Sequence, residues 1–536
     1  MSSTFGTITT VRLGIYAAQK GLDVTGNNIT NINTNGYTRQ RLDQISLVVS
    51  ASDKYGSQYK ARVGQGPVLT GISQLRDPGM DISYRKANSD VGSADQMLAG
   101  LEDLAGILDE VGKGDGEQDD GVILNQLNDL RDLINQALTN GIEDYEGSIR
   151  ASANALCTQF HQYAKALEGL MEDYETQLNE DTTRVNQILT ELRDVNLQIR
   201  NSDVRGDAAL ELRDKRNLLL DELSGYMKID VTYSMVDAGG GYMVEEMSVK
   251  LADKNNPETF LVKGEYAARI GTTGQADGYK VNVYALRNKD GEKKDPNATD
   301  PVTLGDNDLY GSLQSLRELL TEEGEYASAA DSKTDPNAAS KRGIPYYIHQ
   351  LDNFARTFAR EMNKLNNNTG LEGAGNLFDS NDANNRVITA GNICISQEWA
   401  EGSVKMQSTA NPNAPTDDRS NLAEFLNLFN RKDITFDLNN APGAVKPQGS
   451  DYVGSFESML LRIQSTLAQD QMAATTTVSN YAITLNNVYT DRDSITGVDL
   501  NDEATSLMVY QKAYTAACRV LTTLEEAIDT LLNATA

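Results

Sequence analysis

Both ends of the chain carry a helical stripe of apolar residues whose spacing alternates between three and four. This spacing is typical of a coiled coil, because it places the stripe along one side of a helix. The N-terminal stripe includes Ile8, Val11, Ile15, Leu22 and Ile29. The C-terminal stripe includes Leu507, Tyr514, Leu521 and Ile528. Neither helix can bury its stripe alone, so we expect the two termini to pair with each other or with copies of themselves. This pattern favours an assembly protein.

The chain has a large net negative charge. Its 536 residues include 48 Lys and Arg against 77 Asp and Glu, which gives a net charge of -29 at pH 7. Such a surface would be repelled by a nucleic-acid backbone or an anionic bilayer. We therefore expect no nucleic-acid partner and no membrane insertion. The length exceeds what one hydrophobic core supports, so several domains are expected.

The cysteines and the N-terminus give no sign of a disulfide framework or a secretory signal. Cys157, Cys394 and Cys518 are odd in number and far apart, and they form no C-x-x-C pair. Neither a disulfide framework nor a thiolate metal site is therefore indicated, and no cofactor is expected. The first residues lack the basic start and the apolar run of a secretory signal. The protein is expected either to stay inside the cell or to leave by another route.

Along the chain, the spacing of apolar residues changes from the helical pattern of three and four to strict alternation and back. Helical spacing over 98–138 is broken by a glycine-rich acidic segment at 112–121, where we predict an exposed loop. Helical spacing over 151–200 predicts a helix about 75 Å long at about 1.5 Å per residue. Alternation at 229–235 and 279–283, with an apolar run at 260–262, predicts strands.

These changes of period predict a mainly α fold with an inserted β domain. Three units are expected along the chain. They are a terminal coiled-coil core (1–40 with 495–536), a long-helix rod with short strands (41–225 with 309–494) and a β-rich outer insertion (226–308).

An asparagine-rich motif follows the first helix. Asn35 and Gly36 favour a positive φ, so the helix should stop there and the chain should turn. The residues of the motif are Asn27, Asn28, Asn31, Asn33, Thr34, Gly36, Tyr37, Arg39 and Gln40. The motif resembles the N-terminal signature of the axial proteins of bacterial flagella, which include rod, hook and hook-associated proteins.

Further segments strengthen this resemblance. Residues 497–504, 510–514 and 529–533 are similar to the C-terminal signature of the same family. The long helical block and the segments 212–223 and 344–365 resemble its FlgK branch, the first hook-associated proteins. The resemblance covers nearly the whole chain, and it is weak through 224–307.

The resemblance implies a structural role outside the cell. Proteins of this branch leave unfolded through the flagellar type III export channel and form a ring of subunits between hook and filament. It implies as partners other copies of the chain, the hook protein, the second junction protein FlgL, and an export chaperone at the C-terminal helix. The nine stripe residues given above are then expected to carry subunit packing.

Two alternatives stay open. A hook or distal-rod protein shares both end signatures, but the hook protein is mostly strand where this chain predicts long helices. A surface glycan hydrolase would need a pair of carboxylates, one of them kept protonated by apolar surroundings. The many acidic residues supply carboxylates, but no pair stands out. The only histidines, His161 and His349, are far apart in sequence, and neither lies in an H-E-x-x-H motif.

Overall fold

The fold is mainly helical, with one large sheet. The computed structural model describes residues 4–47, 64–108, 121–252, 259–305, 307–328, 335–382, 386–411, 413–415, 417–437 and 451–535. The helices are α1 (Thr4–Thr30), α2 (Pro78–Ile107), α3 (Val122–Asn140), α4 (Glu146–Val204), α5 (Leu210–Tyr226), α6 (Gly311–Thr321), α7 (Ile344–Asn367), α8 (Gln397–Glu401), α9 (Ser420–Asn430), α10 (Phe456–Thr496) and α11 (Leu500–Thr535). The strands are β1 (Gln40–Ser46), β2 (Pro67–Gln74), β3 (Ile229–Asp237), β4 (Met243–Leu251), β5 (Phe260–Lys263), β6 (Tyr266–Thr272), β7 (Val281–Arg287), β8 (Val302–Thr303), β9 (Phe378–Ser380), β10 (Ile393–Ile395), β11 (Ile434–Phe436) and β12 (Tyr452–Gly454). The predicted class, mainly α with an inserted β region, is confirmed.

Helix α4 is the backbone of the hydrophobic core. It has 59 residues, and at about 1.5 Å per residue it extends about 88 Å. It contains the whole predicted helix of 151–200 and continues beyond both of its ends. Its apolar face, which includes Ile149, Phe160 and Leu192, is fully buried. Helices α3, α5, α6 and α7 and the large sheet all pack on it. One apolar cluster therefore runs through this part of the molecule, with fully buried members from Leu101 to Leu467.

The large sheet is an antiparallel meander of six strands in the order β3 to β8. Alternating residues such as Met247, Val249 and Ile270 are buried on one face, as the period of two predicts. Asn186 of α4 fixes the sheet against the helix. Its amide nitrogen donates to the carbonyl of Ile270 at 2.8 Å, and its amide oxygen accepts from the N–H of Ile270 at 2.7 Å.

Helices α2 and α10 pack along each other. Pro78 lies in the first turn of α2, and the side chain of Asp77 caps that helix by accepting from the N–H of Gly79 at 2.8 Å. Helix α10 begins with a capping box formed by Ser455 and Ser458. Together with α4, these helices supply the long elements that the helical spacing predicts.

Several local predictions differ from the structure. Helix α2 starts at Pro78, well before the predicted 98, because its first half buries Asp81, Arg85 and other polar or small residues that give no apolar signal. The apolar residues between 387 and 395 predict short strands, and β10 is the strand that the structure has there. Tyr279 lies outside β7 with a φ of 49°. The loop predicted at 112–121 falls outside the described residues except for Gly121.

Candidate assembly interface

The two terminal helices pack against each other, as the stripes at the two ends predict. Helices α1 and α11 are in extensive contact. Gly21 lies against the ring of Tyr510, and an added Cβ would be 2.5 Å from carbons of that ring. Ala17, Ala18 and Val24 of α1 are also buried. The absence of a side chain at Gly21 thus leaves room for the Tyr510 ring.

The nine predicted packing residues are incompletely covered within one chain. Eight of them are only half-buried, and Tyr514 is 38% exposed. The nine are Ile8, Val11, Ile15, Leu22, Ile29, Leu507, Tyr514, Leu521 and Ile528. Their role in subunit packing stays a prediction.

Helix α11 also presents large apolar side chains to solvent. Five of these side chains are between 47% and 65% exposed: Met508, Val509, Val520, Leu531 and Leu532. Several exposed large apolar side chains on one helix favour a protein–protein contact.

The asparagine motif forms a compact turn after α1. The side-chain amide of Asn28 pairs with the backbone of Gln40: its nitrogen donates to the carbonyl at 2.9 Å, and its oxygen accepts from the N–H at 3.0 Å. The hydroxyl of Tyr37 donates to the same Asn28 oxygen at 2.8 Å. Asn28 is 1% exposed, so these bonds satisfy a buried amide.

The rest of the motif continues the turn on its exposed side. Asn31 donates to the side-chain oxygen of Asn27 at 2.9 Å, and the hydroxyl of Thr34 donates to Asn31 at 3.1 Å. Asn33 is exposed. Gly36 has a φ of 76°, which confirms the predicted turn and explains the preference for glycine.

Arg39 joins the motif to the C-terminal part of the chain. Its N–H donates to the carbonyl of Thr496 at 2.9 Å, and its Nε donates to Oε1 of Glu503 at 2.7 Å. The Glu503 side chain is only 3% exposed. Burial, reinforced by the carboxylate of Asp214, raises the pKa of Tyr37 well above its usual value, so this residue stays a neutral hydrogen-bond donor. Tyr37, Arg39 and Gln40 therefore bind within the chain.

A buried ion network lies beside this turn. We use the term ion network for Arg76, Asp81, Arg85, Asp221 and Arg492. Arg492 of α10 donates to Asp221 at 2.6 Å and lies 3.1 Å from Asp81. Arg76 binds Asp81 through two hydrogen bonds of 2.6 and 3.1 Å, and Arg85 binds Asp221 at 2.9 Å. The network joins the ends of α2, α5 and α10.

The ion network also reaches the segment that leads away from α1. Nη1 of Arg76 donates to the hydroxyl of Thr38 at 3.1 Å, and the N–H of Thr38 donates to Asp214 at 3.2 Å. Within the described residues, no buried side chain of α1 or α11 belongs to the apolar cluster around α4. Hydrogen bonds and ion pairs, such as those of Arg39, Thr38 and Arg76, therefore connect the pair of α1 and α11 to the long helices.

The sequence reasoning missed Gly21, Tyr510 and the ion network. The α1 side of this contact carries a signal in retrospect, since Ala17, Gly21 and Val24 also follow helical spacing. The ion network carries none, because its members are far apart in sequence and charged residues are common throughout the chain.

Metal-ligating side chains do not cluster in the described residues. No group of three His, Cys, Asp or Glu in them is arranged to hold a metal ion. Nε2 of His161 lies 2.8 Å from the carbonyl of Ile393, a contact between α4 and β10. None of the helices described is long and apolar enough to cross a membrane.

Comparisons with known proteins agree with this architecture. Residues 145–378 match the family model described as the flagellar hook-associated protein FlgK helical domain. Residues 493–534 match the model described as the flagellar basal body rod FlgEFG protein C-terminal. The first match covers α4 to α7 and the large sheet, and the second covers nearly all of α11.

Relatives align along almost the full length. Flagellar hook-associated protein 1 of Bacillus subtilis is 26% identical over 554 residues, with 99% of each chain covered. The protein of the same name from Salmonella typhimurium is 20% identical over 581 residues and covers 97% of this chain and 98% of its own. The structure of the flagellar hook junction protein FlgK from Burkholderia pseudomallei is 16% identical with a TM-score of 0.41, over 56% of this chain and 46% of that chain. The two family models and the relatives that align along the full length support the identification of this chain as a flagellar hook-associated protein of the FlgK kind.

Proposed function

We propose that the protein is a structural subunit of the bacterial flagellum that forms the junction between hook and filament. Copies of the chain would form an adaptor ring, with the hook protein on one side and the second junction protein FlgL on the other. An adaptor is needed because hook and filament differ mechanically.

The incomplete burial of the paired terminal helices carries this proposal. Helix α11 leaves Met508, Val509 and Leu531 more than half exposed. Exposed apolar area of this kind gains roughly 25 cal/mol for each Å² that a neighbour covers. Packing several α1 and α11 pairs side by side would cover these residues, and the nine predicted packing residues would then lie in the inner core of a ring.

We also propose a division of labour along the chain. Residues 1–40 with 495–536 would form the assembling core, 41–225 with 309–494 the rod, and 226–308 the outer insertion. The ion network lies where the first two units meet. The large sheet of the insertion packs on α4, so the outer unit would be held firmly against the rod.

The route to this position would be the flagellar type III export channel, which ends outside the cell and needs no cleaved signal peptide. The apolar surface of α11 would promote aggregation before assembly. An export chaperone that binds the C-terminal helix would cover this surface until export.

Deletion of the gene tests the proposal. The strain is examined by electron microscopy, and filament protein is assayed in the medium. Hooks without filaments, together with secreted filament protein, are expected. Restoration of filaments by the intact gene is the control.

The same experiment separates the other candidates. A hook or distal-rod protein is the second candidate, since residues 493–534 match a rod-protein model; cells without hooks would support it. Cells with normal filaments would contradict a structural junction role and would favour the alternative of a surface glycan hydrolase. We propose no enzymatic activity for the chain.

A further inference from the structure

The second half of α10 is unusually poor in charge for this chain. Residues 471–490 contain no Asp, Glu, Lys, Arg or His, whereas 23% of the whole chain is charged. At that frequency a segment of 20 residues would carry about five charges. Helix α4, also long and partly exposed, has 15 charged residues among its 59. The uncharged run is therefore specific to α10.

This uncharged half of α10 is poorly covered within one chain. Its buried residues end at Leu467, and no described side chain from 468 to 496 is fully buried. One side packs against α2, where the side-chain amide of Gln471 donates to the carbonyl of Leu101 at 3.0 Å. Val478 and Leu485, which follow Gln471 in steps of seven on the same side of the helix, are only half-buried. A stretch of helix that buries so little gains little stability from its own chain.

The side opposite α2 forms a continuous exposed face. We call it the outer face of α10. Its residues follow steps of three and four, which place them within one side of a helix. Met472 is 72% exposed and Ile483 is 58% exposed. The outer face consists of Met472, Thr476, Ser479, Ile483, Asn487 and Thr490, and all six are exposed.

The hydroxyls on this surface cost little to cover. Thr476 donates to the carbonyl of Met472 at 2.9 Å, and Thr490 donates to the carbonyl of Asn486 at 2.8 Å. The neighbouring Thr475 and Thr484 bind carbonyls of their own helix in the same way. A hydroxyl that already has a partner in its own helix keeps that bond when water is removed, so its desolvation penalty is small.

We propose that the outer face of α10 packs against a second copy of this chain, as an interface in addition to the terminal helices. The net charge of -29 is the reason to expect a second copy on this face. Two copies repel each other across most of their surfaces, and an uncharged helical face is where close approach meets the least repulsion. Helix α11, with its own exposed apolar residues, follows α10 directly in the chain.

The proposal rests on the proposed function, because the second copy is the neighbour in the ring. It adds a contact outside the nine predicted packing residues and outside both family signatures. It also assigns a role to the charge pattern of α10.

A pair of glutamates tests the interface. Thr476→Glu with Thr490→Glu adds two charges to the outer face. The matched control is Thr183→Glu with Thr190→Glu on α4, two exposed threonines that bind their own helix in the same way, at 2.9 and 2.8 Å. Both double variants should keep the circular dichroism and the melting temperature of the original chain, since all four residues are exposed. Hooks purified from cells with the outer-face pair should retain less of the chain by about tenfold or more, while the control should be retained normally. Normal retention of the outer-face pair would overturn the proposal.

Photo-crosslinking identifies the occupant independently of any loss of assembly. A photoreactive amino acid in place of Ser479 is expected to give a conjugate of two copies of the chain on assembled hooks. A conjugate with another flagellar protein alone, or no conjugate, would overturn the proposal. The proposed function fails separately, if deletion of the gene leaves normal filaments.

Discussion

The most informative substitution is Arg492→Ala, which removes the centre of the ion network. Arg492 binds Asp221 at 2.6 Å and Asp81 at 3.1 Å, and its guanidinium lies 4.5 Å from the ring centroid of Tyr84. Its side chain is 15% exposed, and those of Asp81 and Asp221 are 8% and 13% exposed. The substitution therefore leaves two poorly hydrated carboxylates with fewer partners.

The magnitude follows from these contacts. The charged hydrogen bond from Arg492 to Asp221 contributes about 1.5 to 3 kcal/mol, and the ion pair with Asp81 adds to this amount. Arg76 and Arg85 still compensate the two carboxylates, so the loss should lie near the lower end of the range for a broken buried ion pair, about 3 kcal/mol. Since 1.4 kcal/mol corresponds to a factor of ten, the population of the opened state should rise by about 150-fold.

Hydrogen exchange followed by mass spectrometry measures this change locally. Protected amides at the ends of α2, α5 and α10 should exchange about 150-fold faster in the variant, and those of α4 from 149 to 167 should change little. Arg462→Ala is the matched control on the same helix. Like Arg492, Arg462 lies over a tyrosine ring, but it binds a single carboxylate, that of Glu325, at 2.8 Å. Because its side chain is 27% exposed, its substitution should cost only about 1 kcal/mol of local stability. Equal exchange in Arg492→Ala and the original chain would refute the role of the ion network.

Three further substitutions test the terminal helices and the core. Leu521→Asp places a charge in the packed core of the assembled ring and should abolish assembly, while the circular dichroism of the large sheet stays unchanged; normal assembly would mean that this helix face is not an interface. Gly21→Val should push Tyr510 away from α1, since a Cβ there would lie 2.5 Å from the ring, and should lower protease resistance of the terminal pair, whereas Gly14→Ala, with open space around it, should not. Burial raises the pKa of Glu322 to about 7, so ionisation of this carboxyl group disfavours the folded state. Its contribution to stability is complete below its unfolded pKa and is lost as the pH rises through 7. The melting temperature of Glu322→Gln minus that of the original chain should therefore be larger at pH 8 than at pH 4, and the same difference at both pH values would contradict this.

The sequence predicts the architecture well where apolar residues recur at a regular spacing within one segment of the chain. The long α4 and the strands β3 and β5 follow from spacing within single segments, and the pairing of the two ends follows from the matching stripes on both. The first half of α2 could not be predicted in this way. That segment buries Asp81 and Arg85. Besides the nearby Arg76, their charged partners are Arg492 and Asp221, which are distant in sequence.

The candidate interface was predictable in part. The apolar stripes locate the helices that pack, but they do not reveal Gly21, which contributes no apolar signal and leaves room for the ring of Tyr510. The asparagine motif is visible as a turn, whereas its bonds from Asn28 to Gln40 and from Arg39 to Glu503 depend on the folded chain. The outer face of α10 is visible in the sequence as an absence of charge, and its exposure becomes apparent only once α2 is seen to cover the other side.

Immunogold labelling of isolated hooks tests the central claim most directly. An epitope inserted at Gly240, in the exposed turn between β3 and β4, would leave the terminal helices and the ion network unchanged. On hooks purified from a strain that lacks filament protein, gold is expected only at the distal end of each hook. Gold along the length of the hook, or at the rod, would contradict a junction role for this protein.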